Sequence, residues 1–131
     1  MIEEGRAIFQ QIAERVEDSI IDGSLAEEAK APSTNELATF YRINPATAAK
    51  GVSMLVDKEI LYKRRGIGMF VATGARDKLL AERTAAFADR FIEPLMAEAH
   101  KLGLSGQNVI DLINHRAAQT VTTDPSAGAD R

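Results

Sequence analysis

Apolar residues recur with a helical period at the start of the chain. Between residues 8 and 22 they occupy every fourth position, and polar side chains fill the opposite stripe; the apolar positions are Ile8, Ile12, Val16 and Ile20. This pattern predicts an amphipathic helix over residues 8–22. Gly23 follows the last apolar stretch and suits the left-handed end of a helix.

Two further helix starts follow. Ser33 and Glu36 have the spacing of a capping box and predict a short helix over residues 34–40. Asn44 is followed by a proline, and asparagine is a strong N-cap while proline suits the first helical position. This second signal predicts a helix over residues 45–57, with apolar side chains on one face and small or polar ones on the other.

The apolar period then changes from helical to strand-like. Residues 60–64 and 69–72 are two short runs of β-prone residues. Between them, Gly66 and Gly68 can supply the positive φ angles that a tight hairpin needs. Because two strands alone are marginally stable, we expect this hairpin to pack on the preceding helices.

The last part of the chain is again helical in pattern. Over residues 75–102 the apolar positions form one long seam, which contains Leu80, Phe87, Phe91, Leu95 and Leu102. Pro94 lies within this seam and removes a helix hydrogen bond, so we expect a kink or break just before it. Ser105 can cap a final helix whose apolar face includes Leu112. From about Thr120 the composition predicts a disordered tail.

Composition narrows the class of protein. The chain has 131 residues, of which 45% are hydrophobic and 27% charged, as in soluble globular domains. It is too short for a catalytic barrel of roughly 250 residues. No apolar run reaches the roughly 18 residues of a membrane span, and the N-terminus lacks a signal-peptide pattern. We therefore expect a cytoplasmic protein with no membrane partner.

The residue types give little support to catalysis or metal binding. The chain has no cysteine, which excludes disulfides, thiolate catalysis and cysteine-ligated metal sites. His100 and His115 are the two histidines, and no pattern pairs either with a nucleophile or completes a metal site. The sequence predicts neither an enzyme nor a bound cofactor or metal.

Charge is distributed unevenly along the chain. The net charge is −3, but residues 37–73 carry six Lys or Arg against two Asp or Glu, a balance of +4. Residues 1–36 carry three basic and nine acidic residues, a balance of −6. A local basic face can dock on phosphates when the rest of the protein is acidic, although such a cluster can equally be a solvated surface.

The order of the predicted elements is that of a winged helix-turn-helix. The fold class is therefore mainly α (α+β), with the winged helix-turn-helix at residues 1–73, a short helical dimerisation segment at 74–119 and a disordered tail at 120–131. In this fold the second helix of the pair, here 45–57, enters the major groove. The hairpin then contacts the sugar-phosphate backbone or the minor groove.

The candidate DNA-binding residues lie at the two helix starts, on the outer face of helix 45–57 and on the hairpin. They are Ser33, Thr34, Asn35, Asn44, Ala46, Thr47, Lys50, Lys63, Arg64, Arg65 and Gly66. Backbone N–H groups at helix starts suit phosphates, and Thr47 and Lys50 can hydrogen-bond in the groove. Each piece also has a purely structural interpretation, since the capping box can serve its helix alone and a basic run can protect an edge strand. Their order favours DNA binding.

Residues 7–72 resemble the DNA-binding domain of the GntR family of bacterial transcription regulators. Four stretches carry the resemblance: residues 8–13 (IFQQIA), 22–25 (DGSL), 32–38 (PSTNELA) and 61–71 (LYKRRGIGMFV). Residues 43–47 (INPAT), together with the short helical C-terminal part, are most similar to the YtrA-type subfamily. The resemblance implies a winged-helix regulator that dimerises through its C-terminal helices.

Some positions depart from the pattern of this family. The wider family has arginines that contact DNA where this chain has Asn35, Pro45 and Ala49, and Glu27–Glu28 replaces its usual Pro-Gly. The base-reading scheme of the family therefore does not carry over, and we expect affinity to depend on phosphate contacts and on the hairpin. The site residues that the resemblance supports are Ser33, Thr47, Lys50, Arg64, Arg65 and Gly66.

The C-terminal seam predicts self-association. Two helices alone do not enclose a ligand, so we expect the seam to meet its copy in a second subunit about a two-fold axis. The predicted interface residues are Leu80, Phe87, Phe91, Leu95 and Leu112. The alternative is that the seam packs back on its own winged helix. The interface also leaves room for a small-molecule effector of unknown identity.

Two functions are open from the sequence. The first is a dimeric, sequence-specific transcriptional regulator, a repressor released by a signal, that reads an inverted-repeat operator in double-stranded DNA. The second is a winged-helix adaptor that binds proteins and does not read DNA, which the missing arginines keep open.

Overall fold

A computed structural model describes residues 5–123 of the chain, with side chains to residue 120. Over this range, three helices and a two-stranded hairpin are followed by further helical segments. The elements are α1 (Ile8–Ile21), α2 (Thr34–Tyr41), α3 (Pro45–Asp57), β1 (Leu61–Arg64), β2 (Gly68–Val71), α4 (Ala75–Phe87), a π-helical turn (Ala88–Ile92), α5 (Glu93–Lys101) and α6 (Gly106–Thr123). The predicted winged helix-turn-helix fold is confirmed.

Most element boundaries follow the local sequence signals. Gly23 has φ 89° just after α1, as predicted for the end of that helix. α2 ends one residue later than predicted, at Tyr41, because Arg42 takes the left-handed conformation with φ 57°. β2 begins one residue earlier than predicted, because Gly68 pairs with Arg64 across the hairpin.

β2 is held along both of its edges. On one edge it pairs with β1 in an antiparallel register, with Leu61 opposite Val71 and both side chains in the core. On the other edge the loop before α2 forms an isolated β-bridge, between Lys30 and Phe70. The Ala31 N–H donates to the Met69 carbonyl at 2.8 Å, and the Val71 N–H donates to the Ala29 carbonyl at 3.0 Å. The expectation that the hairpin packs on the helical part is therefore confirmed.

The winged helix has a core of its own. Its largest fully buried side chains come from α1, α3, the hairpin with the residue before it, and the start of α4; they are Ile12, Ile20, Leu55, Ile60, Leu61, Val71 and Leu79. Burying one side chain of this size contributes about 1.5–3 kcal/mol. The exposed faces of α2, α3 and the hairpin are thus carried on a well-packed support.

Gly51 allows α1 and α3 to cross closely. A Cβ atom at this position would lie 2.8 Å from the Phe9 carbonyl oxygen, which belongs to the backbone and cannot rotate away. We expect Gly51→Ala to force the helices apart and to lower the free energy of unfolding by about 1–3 kcal/mol in urea denaturation. Gly106→Ala is the control, because nothing lies within 4 Å of its Cβ position. Equal stability of the two variants would contradict the close crossing.

The first turns of α4 belong to the winged helix. Ala75 and Leu79 are buried in its core, and the compact unit that contains them ends at Arg83. The second compact unit begins at Thr84. The division between the two units thus falls after Arg83, later in the chain than the boundary expected at residue 73. The helical period of the sequence does not predict this, because it does not tell which side of α4 packs on the winged helix.

A buried carboxylate joins α1, the end of α3 and α4. Glu17 is only 6% exposed and accepts hydrogen bonds from Lys58 Nζ at 2.7 Å and from Arg83 at 3.4 Å. Lys58 directly follows α3 and also donates to Glu82 at 2.7 Å. Burial opposes the charge of Lys58, but the hydrogen bonds to the two carboxylates raise its pKa above the ordinary value. These ion pairs attach the C-terminal end of α3 to α4.

The predicted interruption before Pro94 is present as the π-helical turn at Ala88–Ile92. α5 begins directly after this turn, at Glu93, with the proline in its first turn. Proline lacks the N–H that would continue the helical hydrogen bonds, so the helix widens just before it.

The last helix is longer than the sequence predicts. α6 continues to Thr123, into the segment predicted to be a disordered tail. The Thr120 hydroxyl donates to the Arg116 carbonyl at 3.0 Å, so this polar side chain is accommodated within the helix. Residues 124–131 of the predicted tail lie outside the described residues.

The second unit exposes most of its large apolar side chains. Among the side chains described between residues 84 and 120, only Ala99 and Val109 are buried. A groove of about 430 Å³ runs between α5 and α6 and is lined largely by apolar groups, including Leu95, Leu102 and Leu112. The described part of this unit therefore lacks a core of large side chains.

Candidate nucleic-acid interface

Ser33 and Glu36 form the predicted capping box at the start of α2. The Glu36 N–H donates to Ser33 Oγ at 3.0 Å, and the Ser33 N–H donates to the Glu36 carboxylate at 2.8 Å. The latter bond also lowers the pKa of Glu36, so the carboxylate is ionised at neutral pH. The next residue, Thr34, is half-buried, and Asn35 is exposed. The Ser33 hydroxyl is engaged within the helix start, while Asn35 presents its amide to solvent.

The start of α3 is capped as the sequence predicts. Asn44 Oδ1 accepts the Ala46 N–H at 2.7 Å, and the Asn44 carbonyl accepts the Thr47 N–H at 3.0 Å. Ala46 is exposed and Thr47 is half-buried. The N-terminal half of α3 thus presents small side chains to solvent, as a helix must do to enter the major groove.

Lys50 lies one turn further along the exposed face of α3. Its Nζ atom sits 4.1 Å from the centre of the Phe9 ring of α1, which is a cation–π contact. Such a contact limits the motion of the lysine and keeps its charge at the surface. Phe9 is not among the predicted site residues, although an aromatic residue at the start of an amphipathic helix is a signal that the sequence contains.

The hairpin, which we call the wing, carries the other basic residues. Lys63, Arg64, Arg65 and Gly66 are all exposed. The turn is closed by the Ile67 N–H, which donates to the Arg64 carbonyl at 2.9 Å. Gly66 has φ 76°, a left-handed conformation that a side chain would strain. The predicted role of glycine in this turn is therefore confirmed.

Neighbouring wing residues point to opposite faces of the hairpin. Because side chains alternate along a strand, Lys63 shares a face with buried Leu61, while Arg64 shares a face with Tyr62. The Arg64 guanidinium lies 4.9 Å from the Phe70 ring centre, and the Tyr62 and Phe70 rings are 6.1 Å apart. The outer face of the wing thus carries an aromatic pair beside an arginine. Neither Tyr62 nor Phe70 is among the predicted site residues.

The three positions without arginine differ in environment. Asn35 and Pro45 are exposed at the starts of α2 and α3, whereas Ala49 is half-buried. Two of the three are thus open to solvent and carry no charge. Among the predicted site residues that are exposed, the positive charge comes from Lys50, Lys63, Arg64 and Arg65.

Other kinds of site have little support in the described residues. Within this part of the chain, no three His, Asp or Glu side chains come together as metal ligands would. His100 and His115 are both exposed. None of the described helices combines the length and the apolar character needed to cross a membrane.

Sequence comparison identifies relatives with the same domain. Residues 8–71 match the profile of the family described as "Bacterial regulatory proteins, gntR family". The chain is 25% identical over 111 residues to the HTH-type transcriptional repressor YtrA of Bacillus subtilis (strain 168), covering 85% of each protein. It is 30% identical over 82 residues to the HTH-type transcriptional repressor NagR of the same organism, covering 63% of this chain and 34% of NagR.

Structure comparison gives the same result. A solved structure from Bacteroides thetaiotaomicron, assigned to GntR-family transcriptional regulators, has 30% sequence identity and a TM-score of 0.71. The match covers 87% of this chain and 99% of that one. Like the match to YtrA, it extends beyond the wing into the C-terminal helices, whereas the chain spans about a third of NagR.

Proposed function

Because the chain belongs to the GntR family of bacterial regulatory proteins, we propose that this DNA-binding transcriptional regulator is a dimeric repressor of an inverted-repeat operator. The observation that carries the proposal is the exposed surface of the winged helix. This surface combines the N-terminal half of α3, whose exposed side chains are small, with the basic wing. Both lie in residues 37–73, which carry six basic and two acidic residues, a balance of +4.

We expect α3 to enter the major groove and the wing to follow the adjacent backbone or minor groove. Thr47 is the candidate for a base contact, since its hydroxyl can donate and accept. Lys50 and Arg65 are candidates for phosphate contacts, which provide affinity without sequence preference. Without arginines at positions 35, 45 and 49, each subunit then binds a half-site weakly, and a second subunit supplies the missing affinity.

The C-terminal unit supports a dimer as the active form. Phe87 and Phe91 are each 53% exposed with their rings 5.7 Å apart, and Leu112 is 52% exposed beside the α5–α6 groove. Large apolar groups that stay exposed over so short a segment mark an interaction surface. A second copy of the chain is the partner that we propose for this surface, because a two-fold dimer covers the same apolar patch on both subunits.

A signal would act through the same interface. The angle between two subunits sets the distance between their two copies of α3. A small molecule that binds one arrangement of the dimer more tightly than another would shift that distance and release the operator.

The DNA-facing residues are tested through the salt dependence of binding. We expect Lys50→Ala and Arg65→Ala each to weaken binding and to make the negative slope of log K against log salt shallower by about one unit, the value for one lost phosphate contact. The probe is a duplex of about three helical turns, roughly 30 base pairs, enriched from a random pool by the wild-type protein. Lys101→Ala, on the exposed surface of α5, is the matched control and should keep the wild-type slope.

Two results would contradict this interface. If the wild-type protein enriches no duplex, the winged helix is an adaptor for another protein and not a DNA reader. If it does enrich one but both basic variants keep the wild-type slope, DNA contacts a different face of the domain.

A further inference from the structure

The loop before α2 contains a glutamate in an unfavourable backbone conformation. Glu28 has φ 67°, in the left-handed region that residues other than glycine rarely adopt. Its N–H donates to the Val71 carbonyl of β2 at 2.7 Å, so the strained residue lies at the edge of the wing. A glycine would fit this backbone without strain. The contacts of the glutamate side chain give it a part in the wing that glycine could not play.

The carboxylate of Glu28, in the loop before α2, binds a side chain of the wing. It accepts hydrogen bonds from the Tyr62 hydroxyl and from Thr73 Oγ1, the latter at 2.5 Å. The Thr73 and Tyr62 hydroxyls lower the pKa of Glu28, so it carries a full negative charge at neutral pH. The same interaction raises the pKa of Tyr62, which therefore remains a donor. The contact joins the first strand of the wing to the residues just before α4.

Glu28 reaches Arg64 through two aromatic rings. Tyr62 lies beside Phe70 on the outer face of the wing, and the guanidinium of Arg64 lies over the Phe70 ring, 4.9 Å from its centre. The carboxylate also attracts Arg64 through space. Loss of the Glu28 carboxylate would thus free the Tyr62 hydroxyl, and movement of the Tyr62 ring would in turn alter the Phe70 ring that Arg64 contacts.

The preceding residue, Glu27, binds the start of α4. The Glu27 carboxylate accepts the Arg76 N–H at 3.1 Å in the first turn of α4. The Gly74 and Arg76 N–H groups lower the pKa of Glu27, as expected for an anion at a helix start. The two adjacent carboxylates therefore bind α4 and the wing respectively.

We propose that Glu28 is a positioning residue for DNA binding, which holds Tyr62 and thereby sets the place of Arg64 on the outer face of the wing. The inference rests on the proposed function, because it concerns how the wing meets DNA. It makes a prediction opposite in sign to simple electrostatics. A negative charge near a DNA-binding surface repels phosphate, so its removal should tighten binding unless the carboxylate is needed to position a cation.

The test compares Glu28 with Glu59, a second glutamate in the left-handed backbone conformation. Glu59 also has a left-handed φ, of 63°, and is exposed. Glu28→Ala and Glu59→Ala each remove one negative charge and leave an alanine at positive φ. Tyr62→Phe removes only the hydroxyl donor and changes no charge. Binding of the enriched duplex would be measured over a series of salt concentrations, with thermal melting as the check on folding.

We expect Glu28→Ala and Tyr62→Phe to bind several-fold more weakly than wild type, with a salt slope that is shallower by about one unit although no basic residue has been removed. The double variant should be no weaker than the weaker single one, because both break the same connection. Glu59→Ala should bind as tightly as wild type or tighter. A smaller folded fraction would weaken binding at every salt concentration alike, so it would not make the slope shallower.

Two outcomes would overturn the inference while leaving the proposed function in place. One is tighter binding by Glu28→Ala, which would make Glu28 a simple repulsive charge. The other is a wild-type slope and affinity in Tyr62→Phe. If the wild-type protein enriches no duplex at all, the proposed function fails, and this inference fails with it.

Discussion

Leu112→Asp is expected to convert the proposed dimer into monomers and to remove detectable operator binding. Leu112 lines the apolar groove between α5 and α6, and a carboxylate buried there in a dimer would cost several kcal/mol. The winged helix should keep its fold, since its core contains no residue of the groove. Sedimentation velocity gives the oligomeric state, and binding to the enriched duplex gives the affinity.

The matched control for this variant is Asn114→Asp. It places the same charge on the exposed surface of α6 but outside the residues that line the groove. This control should remain dimeric and should bind DNA. If Leu112→Asp also remains dimeric with full affinity, the subunits associate through another surface or the seam packs back on its own winged helix.

The second large effect concerns the start of α4. Leu79 is fully buried in the core of the winged helix, while its neighbour Leu80 is half-buried. We expect Leu79→Ala to lower the free energy of unfolding of this domain by about 2–5 kcal/mol, because it leaves a cavity in a packed core. Leu80→Ala should cost less than half as much. Chemical denaturation of the two variants measures both values.

These two variants test whether the first turns of α4 belong to the winged helix or α4 only links the two units. If α4 only joined the winged helix to the second unit, neither leucine would matter to the stability of the first unit. Equal and small effects would therefore show that the first turns of α4 are not part of the DNA-binding domain. The predicted place of Leu80 at the dimer interface is tested separately, by the effect of Leu80→Asp on sedimentation.

Local signals in the sequence were sufficient to predict the helix-turn-helix. The capping box at Ser33 and the Asn44–Pro45 pair fix the starts of α2 and α3 within a residue, because each cap satisfies backbone donors that have no partner within the helix. The pair of glycines likewise predicts the turn of the wing. These features depend on residues close together in the chain, so a single sequence reveals them.

Contacts between distant residues were harder to predict. Lys50 meets Phe9 and Glu28 meets Tyr62, and neither pair is related by a helical or strand period. Glu27–Glu28 stands out in the sequence only as a departure from a Pro-Gly pattern, and that departure does not predict that Glu28 contacts the wing. The sequence period also places Leu80 on the apolar seam, but adjacent Leu79 is the residue that packs into the core. Such choices depend on how the hairpin folds back on the helices.

The measurement that tests the central claim most directly is a footprint on the enriched operator and on a copy with five base pairs inserted at its centre. We predict two protected segments of equal strength, with their centres about one helical turn apart, roughly 10 base pairs. The insertion rotates one half-site by about half a turn, so a two-fold dimer can no longer reach both, and affinity should fall toward that of a single half-site. Equal affinity for both duplexes, or one unsymmetrical protected segment on the original operator, would contradict a two-fold dimer that reads DNA with two copies of α3.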